Sequence, residues 1–270
     1  MSQVPPVPFA ARCALLLTLA GALFATTPSA LAQGKKDRAV LAMTLEPPGL
    51  DPTAGAASAI AEITLYNIYE TLTKVTPDGR PVPLLAESWT ASPDLRQWTF
   101  KLRQGVKFHN GEPFSAATVK FAFERAAVKG SANKDRATFA NIDSIATPDA
   151  HTVVLTLKNG NPDLPFQLGQ ATAVMVEPKS VAGNATQPVG TGPYRLDSWN
   201  RGSSVTLLRW DGHRNAKSVA LRRVTVRFIS DPAAQVAALL SGDVDAFPRV
   251  SAARSLKAFE NKARFQVLVG

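Results

Sequence analysis

His109-Asn110-Gly111-Glu112 is the densest grouping of reactive side-chain types in the chain. An imidazole close to a carboxylate is a pairing that general acid–base catalysis uses. Asn110-Gly111, however, reaches positive φ cheaply, so the same four residues read as a turn, with His109 a solvated loop residue. His151 and His213, the other two histidines, stand at no metal-ligand spacing from His109, from each other or from a carboxylate pair. A zinc site is therefore unsupported. There is no G-x-S-x-G elbow and no S-x-x-K with its companions. Gly190-Thr191-Gly192 matches half of a dinucleotide fingerprint, but the third glycine is missing and Pro193 opens a strand pattern, so it reads as a turn feeding a strand. Asp243 and Asp245 in "SGDVDAF" read as a helix end and a strand flank. The expectation is no catalytic residue, no metal and no cofactor.

The elements that would position these residues alternate between the two periods. "AVLAMTL" (39–45) is an apolar run closed by "EPPGLDP", which reads as a buried strand. Ser58 offers an N-cap to a helix over 59–72, with Ala61, Leu65, Ile68 and Leu72 on one face. Pro77-Asp78-Gly79 is a turn signal, and "RPVPLLAESW" continues as an extended segment. Trp98, Phe100 and Leu102 alternate with Thr99, Lys101 and Arg103 as a half-buried strand, and Val106 and Phe108 resume the alternation. Ser115 caps a second helix carrying Val119 and Phe123. Residues 151–157, 194–199, 204–210 and 224–229 read as strands, the middle two joined by a hairpin at 200–203. Asp231, Pro232 and Gly242 punctuate a helix whose apolar face is Val236, Leu239 and Leu240.

The first residues carry the parts of a secretory signal: one basic residue, Arg12, a 13-residue apolar run at 13–25 and a small-residue site at Ala30-Leu31-Ala32. The run is shorter than the ~20 residues a spanning helix needs. Cleavage after Ala32 would leave Gln33 first and export the protein in soluble form. Cys13, the only cysteine, lies within the apolar run, so the mature chain would hold no disulfide, thiolate ligand or cysteine nucleophile. A composition of 45% hydrophobic and 19% charged residues is that of a globular chain. The net charge of +9 is spread along the sequence, which reads as a solvated basic surface rather than a nucleic-acid footprint.

Four segments, in order, carry a resemblance: "LDPTAGAAS" (50–58), "PLLAESWTASPDLRQWTFKLRQGVKFHNGEPFSAATVKFAF" (83–123), "PVGTGPYRLDSW" (188–199) and "DPAAQVAALLSGDVDAF" (231–247). The chain resembles the extracytoplasmic solute-binding proteins of ABC transporters, of the peptide/nickel-binding family 5 type. The resemblance implies an α/β fold of the type II periplasmic-binding-protein kind. Lobe I would comprise 38–75 and 188–270, and an accessory domain 76–187, after a signal peptide at 1–32. It also implies an incomplete chain. Relatives are longer, Phe265, Val267 and Val269 alternate like a strand leading to a hinge, and the second lobe would follow. Where the family's second helix usually has an acidic residue three positions after its cap, Thr118 stands instead.

The function implied is the periplasmic substrate-binding component of an importer for peptides or similar solutes, working with permease and ATPase subunits. Such a protein would meet the membrane only through the permease and would bind no nucleic acid. The ligand-facing residues carried over are the loop Thr53, Ala54, Gly55, Ala56, Ala57 and Ser58, with Arg136 reaching an anionic group. The alternative for each is a surface residue without ligand contact. Half a cleft would bind weakly or not at all, because two-lobed binders bury a small ligand by closing both lobes on it. Two other readings are an exported hydrolase with an unrecognised constellation, and a basic surface protein with steeply salt-dependent binding.

Overall fold

The computed structural model describes residues 36–249 and 253–268; the expected signal segment, with Ala30, Ala32 and Gln33, lies outside them. The strands are β1 (Arg38–Met43), β2 (Thr73–Val75), β3 (Pro81–Pro83), β4 (Ala86–Ala91), β5 (Gln97–Leu102), β6 (Ile142–Asp149), β7 (Thr152–Leu157), β8 (Tyr194–Asn200), β9 (Ser204–Arg209) and β10 (Arg223–Phe228). The α-helices are α1 (Ser58–Thr64), α2 (Ala116–Ala127), α3 (Arg136–Ala140), α4 (Leu164–Gln167) and α5 (Pro232–Ser241).

Two four-stranded sheets organise these elements. The first has the order β1-β10-β9-β8 and draws its strands from both ends of the described chain. β1 runs parallel to β10, while β10, β9 and β8 are antiparallel neighbours. On its other side β1 meets Ala246 in a parallel bridge at Leu41. The Asp245 amide donates to the Val40 carbonyl at 2.6 Å, and the Ala42 amide to the Ala246 carbonyl at 3.0 Å. Helix α5 therefore carries the chain from β10 across β1 to its far edge, a β–α–β crossover. The second sheet, β4-β5-β7-β6, is antiparallel throughout. Trp98, Phe100 and Leu102 are buried on it as their alternation predicts, beside Val153, Leu155 and Leu157. Helix α2 adds Val119, Ala122 and Phe123 to the same core, and Phe123 stacks obliquely on Phe139 of α3 with ring centroids 5.3 Å apart.

Local chemistry explains most boundaries. Gly79, at φ 81°, closes the β2–β3 hairpin. Before α2, the Ser115 amide donates to Thr118 Oγ1 at 3.1 Å, so the hydroxyl does at this helix entry what a Glu or Gln does in a capping box. α5 starts on Asp231, whose carboxylate accepts from the Ala234 amide at 2.7 Å, and stops on Gly242 at φ 85°.

Four expectations are corrected. The first helix covers Ser58–Thr64 rather than 59–72, and the residue preceding it is Ala57, with no side-chain cap. Beyond Thr64 the chain turns at Tyr66, φ 60°. There the carbonyls of Asn67, Ile68 and Glu70 accept from the amides of Tyr194, Gly192 and Met175. A helix would have used those carbonyls internally. Val106 and Phe108 are buried, yet the only ladder contact nearby is a bridge between Lys107 and Pro113. Of the expected strand Phe265-Val267-Val269, Val269 lies outside the described residues, and Phe265–Leu268 form no strand: the Phe265 amide closes a turn on Asn261, and alternation without a neighbouring ladder does not make a sheet. The fourth correction concerns His109 and belongs to the site chemistry.

Candidate ligand-binding site

The parallel strand β1 ends at Met43, and the connection that follows opens a cleft of about 150 Å³. Its walls are Thr44 and Leu45 after the strand, Ser58, Ala59 and Glu62 on α1, and Pro248 and Arg249 after the bridged segment. Clefts at the carboxyl ends of parallel strands arise because the chain leaves neighbouring strands in different directions, and ligands use them in open α/β sheets. Arg249 Nη2 lies 3.6 Å from Glu62 Oε1, with the arginine side chain 79% exposed. At that exposure water and salt screen the pair, so both charges stay available at the rim.

The expected ligand loop divides at this cleft. Ala54, Ala56, Ala57 and Ser58 are exposed, Gly55 is half-buried, and Ser58 lines the cleft wall. Thr53 points inward instead. Its hydroxyl donates to Asp51 Oδ1 at 2.6 Å and its amide to the same oxygen at 2.8 Å. Arg125 of α2 donates to the Thr53 hydroxyl at 2.6 Å, and its other terminal nitrogen lies 3.6 Å from Asp51 Oδ2. Arg136 is not among the cleft-lining residues; it donates to the Ala127 carbonyl at 3.2 Å, on the exposed side of α3. Sequence reasoning missed Glu62, Arg249 and Arg125. The first two are ordinary charged residues 187 positions apart in the chain. Arg125 sits mid-pattern in a helix, where no spacing points to Asp51.

The His109–Glu112 turn is present, but His109 is not solvated. Its backbone amide donates to the Gly190 carbonyl at 2.9 Å. The ring engages the same segment twice: Nδ1 accepts from the Gly190 amide at 3.3 Å and Nε2–H donates to the Gly192 carbonyl at 3.0 Å. Trp210 packs edge-on at 4.9 Å. Loss of solvent outweighs the Gly192 hydrogen bond and pushes the imidazole down from 6.5 to about 4, leaving it neutral. Asn110 and Glu112 complete the contact, reaching Glu177 and Lys179. Gly190 and Gly192 must be glycines, since a Cβ would lie 2.1 Å from the Ile68 carbonyl oxygen or 2.3 Å from that of Asn67.

Beneath this contact Arg214 grips buried Glu70 with two hydrogen bonds, 2.8 and 2.6 Å, and His213 Nε2 lies 3.6 Å from the same carboxylate. Burial works to raise Glu70, but neighbouring His213 and the hydrogen-bonded Arg214 guanidinium outweigh it and hold the carboxyl below its usual range. These contacts fasten the 67–70 turn to the segments at 190–194 and 210–214. They are an internal brace that commits both ring nitrogens of His109 and Nδ1 of His213. A second, wider groove of about 710 Å³ runs between Leu239, Phe247, Phe259, Phe265 and Leu268. Among the described residues no cluster of three or more His, Cys, Asp or Glu side chains is placed to hold a metal ion, and no helix is long and apolar enough to cross a membrane.

Comparison with known proteins gives this geometry its context. The profile of the bacterial extracellular solute-binding proteins, family 5 middle region, matches residues 80–267. The chain is 32% identical to the glutathione-binding protein GsiB of Pectobacterium atrosepticum over 215 residues, which is 78% of this chain and 42% of that protein. It is 30% identical to the "probable D,D-dipeptide-binding periplasmic protein DdpA" of Escherichia coli, over 84% of this chain and 46% of that one. The binding protein AgaA of A. tumefaciens R10, solved with agropinic acid, superposes with a TM-score of 0.77 at 31% identity, covering 82% of this chain and 45% of AgaA. The chain thus spans somewhat under half the length of these relatives.

Proposed function

The chain belongs to the bacterial extracellular solute-binding proteins, family 5; from that premise we propose that it forms one wall of the ligand cleft in the substrate-binding component of an ABC importer. The solute is a peptide or a similarly small polar molecule. The observation that carries this reading is the strand-end cleft, where Ser58, the end of the small-residue stretch Ala54–Ser58, meets the open charges of Glu62 and Arg249. Small residues let a ligand approach the backbone closely, and a facing lobe would supply the burial that an open half-cleft lacks. In this reading 38–75 and 188–270 belong to the ligand lobe and 76–187 to an accessory domain. Export by the N-terminal signal, with cleavage after Ala32, delivers the protein to the periplasm, where permease and ATPase subunits take up its cargo. A binding role also fits the histidine chemistry better than the hydrolase reading does. His109 has both ring nitrogens committed to backbone groups, and Nδ1 of His213 accepts from the Asn215 amide.

The test starts from the nucleotide sequence past codon 270, read in all three frames. The expected result is a continuation into a second lobe, in frame or after a single shift. The two-lobed product should then gain several degrees in Tm with at least one of alanyl-alanine, glutathione or nickel-histidine at saturating concentration. A two-lobed product that none of these stabilises sinks the peptide-like assignment. The 270-residue chain alone should show little or no shift; micromolar affinity for any of them would contradict the half-cleft argument.

A further inference from the structure

We propose that Arg125 is the positioning residue for the ligand-facing loop, so that helix α2, which contributes no residue to the cleft lining, fixes where Ala54–Ser58 stand. The inference rests on reading that loop as ligand-facing. Its physical basis is a three-member relay. Thr53 has one hydroxyl proton, and the 2.6 Å bond commits it to Asp51 Oδ1. The hydroxyl lone pairs are thereby turned to Arg125 Nη1, also at 2.6 Å. Asp51 is 4% exposed and Thr53 7%, so neither can exchange these partners for water.

Arg125 Nη2, 3.6 Å from Asp51 Oδ2, is the cation nearest the buried carboxylate. Two features carry the anchoring forward along the loop. The Ala54 amide donates to the Asp51 carbonyl at 3.2 Å. Gly55 packs so closely that a Cβ would stand 2.6 Å from Ile60 Cδ1. Hydrogen bonds to Asp51 hold the backbone as far as Ala54, and Gly55 to Ser58 leave from it. Arg125 itself stands on a helix whose Val119, Ala122 and Phe123 are locked into the core of the second sheet. That core is a rigid support for the relay.

The experiment is residue-resolved amide exchange by NMR on the full chain, without ligand. Arg125→Met and Thr53→Val should each speed exchange of the Thr53 and Ala54 amides about tenfold, while the ladder amides of β5 and β7 stay unchanged. Thr53→Ser, which keeps the hydroxyl, should restore slow exchange, and the double variant should be no faster than either single one. If Arg125→Met does not fold, Arg125→Gln takes its place in the same comparison. Unchanged Thr53 and Ala54 amides overturn the proposal. So does an equal acceleration in β5 and β7, which would make Arg125 a general prop, and so do additive effects. Because no solute enters the measurement, a failed solute screen and a failed relay are read separately.

Discussion

Protonating His109 would put a second N–H where the Gly190 amide now donates, so the native state resists the charge. The groups facing the ring are Glu70, His213 and Arg195, and together they do not offset its loss of solvent. The sign follows from linkage. Between pH 6.5 and about 4 the unfolded chain binds a proton at this site that the folded chain refuses. Stability from His109 is therefore complete above pH 6.5 and lost as the pH falls towards 4, a loss on the order of 3 kcal/mol. Urea unfolding at intervals from pH 7 to 4 should show this decline superposed on carboxylate titration. His109→Asn, which keeps a donor and an acceptor but does not titrate, should show a slope shallower by about one proton. Equal slopes for the two proteins would refute the assignment.

At the level of elements, the 67–70 turn and the Gly190-Thr191-Gly192 segment meet backbone to backbone, which no side chain permits. Gly190→Ala should cost about 3 kcal/mol or more in urea unfolding, because the Cβ would collide with a carbonyl oxygen rather than with a flexible side chain. Gly183→Ala, with nothing within 4 Å, serves as the neutral control. A Gly190→Ala variant as stable as Gly183→Ala would mean that the two segments do not touch. Helix α5 offers a smaller test. Asp231→Ala removes the hydrogen bond to the Ala234 amide and should lower stability by about 1 kcal/mol. No change in the unfolding midpoint would show that the cap is not formed in solution.

For the molecule as a whole, the unusual feature is apolar surface left uncovered on one side. Val236, Leu239 and Leu240, the expected buried face of α5, are only half-buried, while Gln235 is the buried residue of that helix. Near its end, Val267 is 45% exposed and Leu268 83%, beside the groove holding Phe247, Phe259 and Phe265. Exposed apolar side chains along this groove promote association, even with Asp245, Arg249, Arg264 and Gln266 among its walls. Sedimentation velocity of the purified chain should reveal concentration-dependent self-association, and Leu268→Ser with Val267→Ser should reduce it. A wild-type chain that stays monomeric over the same concentrations would show that this surface is not adhesive.

Residues that act through their immediate neighbours were legible in the sequence. Asp231, Pro232 and Gly242 delimited α5, the Trp98–Leu102 alternation fixed the buried face of β5, and Asn110-Gly111 marked a turn, since caps, periods and turns depend on a few adjacent φ/ψ choices. Four ordered motifs were also enough to reach the family that the comparisons identify. The folded structure decided what depends on distant partners. It cut the first helix at Thr64 because the carbonyls of Asn67, Ile68 and Glu70 found amides more than a hundred residues away. It made His109 a part-buried brace rather than a solvated loop side chain, and joined Thr53 to Asp51 and to Arg125, 72 positions away. It also brought Glu62 and Arg249 to one rim. Such pairings carry no local signature, because their energy comes from burial and geometry that exist only once the sheets have assembled.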